Sequence, residues 1–134
     1  MARGEAVSGI TAGIGLRPGT CEADIEACLA QTLAVAGLAA DAIGRLATLA
    51  SRQDEPGLAA VAQAHDLTLV AIPDEALAGF EAACATRSTR ISGLYGVGSV
   101  AEAAALAAAG PGATLIQPRI ATDRVTCALA RSAA

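Results

Sequence analysis

The chain has 134 residues, 54% of them hydrophobic, with one Phe, one Tyr and no Trp. That is the length of one domain, and its core must form by close approach of small side chains. The net charge is −4, and the nine basic residues are all arginine and form no run, which speaks against nucleic acid as a partner, as does the shortage of aromatic stacking groups.

No stretch reaches the roughly 18 to 20 apolar residues of a membrane helix. Residues 1–16 carry Arg3 and Glu5 among glycines, a better first strand than export signal. The expected location is cytoplasmic, with no membrane partner. Cys21, Cys28, Cys84 and Cys127 form no C-x-x-C pair, and His65 is the only histidine. The cysteines therefore read as small buried hydrophobes, and neither a metal nor a cofactor is expected.

Residues 7–16 are apolar and β-branched and end in glycines, as in a buried strand. Thr20 is placed to cap a helix, with Glu22 and Asp24 in its first turn. Ile25, Cys28, Leu29, Leu33 and Ala36 recur at helical spacing until Gly37 stops them. Residues 45–50 read as a second strand. Pro56 opens a second helix, whose apolar face is Leu58, Val61 and Ala62. Residues 67–72 form a third strand, and Pro73-Asp74-Glu75 opens a short helix around Leu77 and Phe80.

Residues 86–92, with Arg87 and Arg90, read as a loop. Tyr95-Gly96-Val97-Gly98-Ser99 precedes an alanine-rich helix, and Ser99 with Glu102 fits a capping box. Gly110-Pro111 ends that helix. Residues 113–117 and 125–130 are the last strands, joined by a hairpin turn at 121–124. Strands alternating with helices imply a three-layer α/β/α domain over residues 1–134. Its mixed sheet has about five strands, is mostly parallel, and closes with an antiparallel hairpin.

Ligands of open α/β sheets gather at the carboxyl ends of the strands, where three segments should converge. Gly13-Ile14-Gly15-Leu16-Arg17-Pro18-Gly19-Thr20 combines glycines that admit a ligand with the charge of Arg17. Free N–H groups of the following helix would add to it. It lacks the G-K-[ST] ending of a Walker A loop, and its last glycine is one residue late for a dinucleotide fingerprint. By pattern alone it suits a tight turn as well as an anion site.

In Ser51-Arg52-Gln53-Asp54-Glu55-Pro56-Gly57, Arg52 is a ligand-facing candidate, and Asp54 and Glu55 are candidate acid or base groups. A helix start with solvated charges accounts for the segment equally. Gln117-Pro118-Arg119 follows a strand, with Thr126 on the next. Gly98 and Ser99 would offer N–H groups at another helix start, although capping already explains Ser99 and Glu102. His65, near a helix end, has a structural role.

Four motifs then occur in order: Gly13 to Thr20; Ala47-Thr48 followed by Arg52 to Leu58; Gly98-Ser99-Val100-Ala101-Glu102-Ala103-Ala104-Ala105-Leu106; and Pro118-Arg119 ahead of Val125-Thr126-Cys127-Ala128. Together they resemble the CobE and CbiG C-terminal domain family of cobalamin (vitamin B12) biosynthesis, over nearly the whole chain. Where that family often has lysine, this chain has Arg52 and Arg119, which keeps the charge but not proton-transfer ability.

The resemblance implies a precorrin- or corrin-type tetrapyrrole as ligand. Its carboxylates would be held by Gly13, Gly15, Arg17, Gly19, Thr20, Arg52, Gly98, Ser99 and Arg119. It also implies other enzymes of the pathway as partners. Full-length CbiG-type proteins are lactone-opening hydrolases, but a chain of this length has no room for their N-terminal domain. Three functions compete on these grounds. One is a tetrapyrrole-binding protein. Another is a hydrolase using Asp54 or Glu55, with Arg17 at the oxyanion. The third is a nucleotide- or phosphate-binding regulator.

Overall fold

Strand β1, Ile10–Leu16, uses its two faces differently, and this sets the layers of the domain. Ile10, Ala12 and Ile14 join the main apolar cluster on one side. On the other, Gly13 lies directly beneath a helix. The structure, a computed structural model, describes residues 9–73, 75, 100–122 and 124–132. The expected helix around Leu77 and Phe80, the loop at 86–92, the segment from Tyr95 to Ser99 and Cys84 lie outside the described residues.

Helix α1, Glu22–Ala36, follows β1 and begins at Cys21 rather than Thr20. The Thr20 hydroxyl bonds the Arg17 carbonyl at 2.7 Å instead, closing a turn rather than capping the helix. Gly37, at φ 76°, ends α1. Leu38 N–H returns to the Leu33 carbonyl at 2.9 Å, the six-to-one bond of a Schellman closure. Then come a 3-10 turn at Ala40–Ala42, β2, Ile43–Leu49, and a second 3-10 turn at Ala50–Arg52. Helix α2, Pro56–Ala64, buries Leu58, Val61 and Ala62 as their spacing implies. Strand β3 is Thr68–Ile72. After the undescribed segment come α3, Val100–Ala109, β4, Thr114–Ala121, and β5, Val125–Arg131.

The five strands are ordered β3-β2-β1-β5-β4. Strands β1, β2 and β3 are parallel, and β5 is antiparallel to both β1 and β4. The closing hairpin therefore contributes a central strand, β5, and an edge strand, β4, which runs in the direction of β1. The expected α/β/α class, with its C-terminal antiparallel hairpin, is the observed one.

Helices α1 and α2 cover one face through Ile25, Leu29, Leu33, Leu58 and Val61. Helix α3 covers the other with alanines: Ala103 and Ala104 meet Ala47, Leu49 and Ile72, while Ala105 and Ala109 meet Ala130. Small residues let α3 come close. A Cβ on Gly13 would collide with the Ala101 carbonyl and lie 2.6 Å from Ala105 N. The Arg45 guanidinium donates to the Ala108 carbonyl at 2.8 Å, a cation at the carboxyl end of α3, where it offsets the helix dipole.

Candidate functional site

The carboxyl ends of β1 and β2 lie beside that of β4 and the start of β5. Between them is a cleft of about 330 Å³. Its floor is apolar, with Leu16, Leu49, Val100 and Val125. Around it stand Arg17, Arg52, Arg119 and Arg124, with Thr48, Thr122 and Thr126. Sequence reasoning placed Arg17, Arg52 and Arg119 at this edge, and the fold brings them to one cavity. It missed Arg124. The sequence carried no signal for it, because only the placement of β5 between β1 and β4 brings the β4–β5 turn beside Arg17.

The turn carrying Arg17 is built locally. Pro18 precedes Gly19, whose φ is 80°, and Thr20 N–H bonds the Arg17 carbonyl at 3.2 Å. This is a type II turn, in which proline presets one residue and glycine accepts the left-handed one. Glu55 then accepts the Gly19 N–H at 2.8 Å. Glu55 thus ties the start of α2 to the turn after β1, and Gly57 packs where a Cβ would lie 2.5 Å from the Thr20 carbonyl. Gly19 and Thr20 shape the wall of the cleft without lining it, and Asp54 is exposed.

Arg52 is half-buried, and its Nε donates to the Leu16 carbonyl at 3.2 Å. That bond orients the planar guanidinium while leaving its terminal nitrogens to face a ligand, where the fork suits a carboxylate. Gln117-Pro118-Arg119, expected to follow a strand, lies within β4, whose ladder to β5 shifts register between Gln117 and Ile120. Proline is admissible there because β4 is an edge strand among the described residues. Off that ladder, Arg119 N–H donates to the Glu102 carboxylate at 2.9 Å. Glu102 is fully buried. Whatever it contributes at the start of α3, it also sets the backbone that aims Arg119.

Among the described residues, no carboxylate pairs with Arg17, Arg52, Arg119 or Arg124. Four guanidinium groups without an ion-pair partner among the described residues gather positive charge around one cavity in a chain of net charge −4. Gly15 borders the cleft, where a Cβ would stand 2.6 Å from the Thr126 hydroxyl. Gly13 does not, since it belongs to the packing under α3. Gly98 and Ser99 lie outside the described residues.

His65 Nε2 is 2.9 Å from both carboxylate oxygens of Glu26, joining α2 to α1. Cys28 and Cys127 are buried, as expected of small hydrophobes, whereas Cys21 is exposed because it sits at the start of α1. Burial pushes the Cys28 thiol up and the Cys127 thiol up to about 12. Among the described residues no His, Cys, Asp and Glu cluster could hold a metal, and no helix is long and apolar enough to cross a membrane.

Over residues 10–130 the sequence matches the family described as Cobalamin synthesis G C-terminus. The chain belongs to that family. It is 35% identical over 127 residues to Protein CobE from Sinorhizobium sp, covering 94% of this chain and 82% of the relative. A crystal structure of CobE, a protein from the cobalamin (vitamin B12) biosynthetic pathway, is similar at a TM-score of 0.83 and 33% identity. The match covers 91% of this chain and 89% of that one. Cobalamin biosynthesis protein chiG from Agrobacterium tumefaciens str. C58 follows at 0.73 and 32%, covering 93% and 99%. A putative cobalamin biosynthesis protein G homolog from Sulfolobus solfataricus gives 0.73 and 25% identity, with 91% of this chain matched to 36% of that one. The protein is thus a cobalamin-biosynthesis protein of the CobE and CbiG C-terminal kind.

Proposed function

We propose that this protein binds a precorrin- or corrin-type tetrapyrrole intermediate through its peripheral carboxylates, in the cleft at the carboxyl edge of the sheet. The observation that carries the reading is the set of four arginines around an apolar floor, none paired with a carboxylate among the described residues. Such intermediates combine an apolar ring with many acetate and propionate arms. Guanidinium forks complement those arms, and the apolar floor complements the ring.

The hydrolytic alternative requires Asp54 or Glu55 to activate water. Neither lines the cleft, and Glu55 is committed to the Gly19 N–H. That same bond opposes a phosphate at the glycine turn, because a carboxylate already occupies the N–H a phosphate would use.

Titration with hydrogenobyrinic acid, followed by the absorbance of the pigment, tests the proposal. Saturable binding should weaken as salt rises. Arg119→Gln should weaken it about ten- to a hundredfold, since a hydrogen bond to a charged group contributes roughly 1.5–3 kcal/mol. No spectral change at high micromolar pigment would refute the proposal. Turnover of a lactone-bearing precorrin that Asp54→Asn abolishes would replace it with hydrolysis.

A further inference from the structure

The cleft is small for the ligand assigned to it. Its volume of about 330 Å³ lies at the bottom of the range of roughly 300–1,000 Å³ typical of small-molecule sites. A tetrapyrrole with all its side chains is several times the size of one pyrrole-derived ring, and only the single ring is commensurate with this space.

The basic groups form a row along the cleft in strand order: Arg52 after β2, Arg17 after β1, Arg124 before β5 and Arg119 on β4. Arg17 and Arg124 are neighbours at its middle, where Arg17 N–H donates to the Arg124 carbonyl at 3.3 Å. Leu16, Leu49 and Val125 line the same cleft with apolar surface. None of the described lining residues is aromatic, so these residues offer no flat platform on which a conjugated macrocycle would lie by its face.

We infer that the cleft takes one edge of the macrocycle: a single pyrrole-derived ring rests on the apolar floor, and its neighbouring acetate and propionate arms go to opposite halves of the basic row. This rests on the tetrapyrrole reading and deepens it. One arm meets Arg17 and the terminal nitrogens of Arg52, the latter held in plane by the Leu16 carbonyl. The other meets Arg119 and Arg124. The rest of the ring stays outside the cleft.

Two carboxylates held by one ligand bind with a single loss of translational freedom, so the pair is favoured over two separate monocarboxylates. A monopyrrole bearing both arms should therefore be the smallest specific ligand. Porphobilinogen, with one acetate and one propionate on a single pyrrole, is the probe. It is titrated by calorimetry and then used at millimolar concentration to compete with hydrogenobyrinic acid.

Porphobilinogen should bind and displace the pigment, while propionate at the same concentration should not. Arg119→Gln and Arg52→Lys should each weaken the probe about tenfold, the second because lysine keeps the charge but loses the planar fork. Thermal unfolding of each variant separates lost contact from lost fold.

If hydrogenobyrinic acid binds and porphobilinogen fails to displace it, edge binding is overturned and the tetrapyrrole reading stands. If propionate displaces as well as porphobilinogen, the division of two arms between the two halves of the row is overturned. If hydrogenobyrinic acid itself does not bind, the tetrapyrrole reading falls, and edge binding with it.

Discussion

Gly13→Ala probes the packing on which the cleft depends. The added methyl carbon would collide with the Ala101 carbonyl and stand 2.6 Å from Ala105 N and 2.9 Å from Ala105 Cβ. Two of these three neighbours are helix backbone, so no rotamer change relieves the contact. Carbon atoms pack at about 3.5–4.0 Å, so α3 must retreat by about 1 Å, a gap that forfeits a quarter to a half of each dispersion contact along the interface.

The face that would lose contact includes Ala101, Ala104, Ala105 and Ala109, all buried. Overpacking of this kind costs about 1–3 kcal/mol. Replacing a strand glycine returns about 0.4–1 kcal/mol through the unfolded chain, which leaves a net loss of about 1–2 kcal/mol. With a urea slope of roughly 1–3 kcal/mol per molar, the midpoint should fall by about 1 M.

Equilibrium urea unfolding measures the shift directly. Adding Ala105→Gly should not restore the midpoint, because it removes the methyl contact and leaves both backbone contacts. An unchanged midpoint for Gly13→Ala, or full rescue by Ala105→Gly, would refute the reasoning.

Glu102→Ala removes the partner of the Arg119 N–H and should cost about 1–3 kcal/mol of stability, whereas Glu102→Gln keeps an acceptor and should cost less. In a Glu102→Ala background, Arg119→Gln should weaken pigment binding little further while Arg52→Lys keeps its full effect, and additive losses from Glu102→Ala and Arg119→Gln would show that Glu102 does not aim Arg119. Glu55→Ala frees the Gly19 N–H and should cost at most about 1 kcal/mol, because the bond is exposed; thermal unfolding reads this. Burial holds the Cys127 thiol protonated up to about 12 against an ordinary value of 9.0. The folded state therefore keeps a proton that the unfolded state loses above pH 9.0, and Cys127's share of stability is full below that pH and declines as pH rises from 9.0 towards 12. Urea midpoints across that range, compared with those of Cys127→Ala, check the sign, and a Cys127 contribution that grew with pH would contradict it.

Most of the local structure was legible in sequence because short-range rules decided it. Pro56 opened α2, Gly37 closed α1, and Leu58, Val61 and Ala62 formed the buried stripe their spacing required. Thr20 shows where such rules compete. The same residue type that caps helices also closes turns, and the Pro18-Gly19 turn won, leaving Cys21 at the helix start.

The scarcity of aromatic side chains and the alanine run determined the close packing of α3 against the sheet, whereas the opposite face is filled by Ile, Leu and Val. The ordered glycine, arginine and proline motifs determined the family, and the parallel strand pattern pointed to the edge of the sheet that holds the candidate cleft. Tertiary structure decided the rest. It put β5 between β1 and β4, so the hairpin turn delivered Arg124 to the cleft beside Arg17. It also divided the glycines of one motif, sending Gly13 under α3, Gly15 to the cleft and Gly19 to Glu55. Strand spacing in sequence carries no information about lateral order in a sheet. Gly13 and Gly15, two apart on β1, share the face under α3, and position along that helix alone puts Gly13 beneath its body and Gly15 at its start beside the cleft.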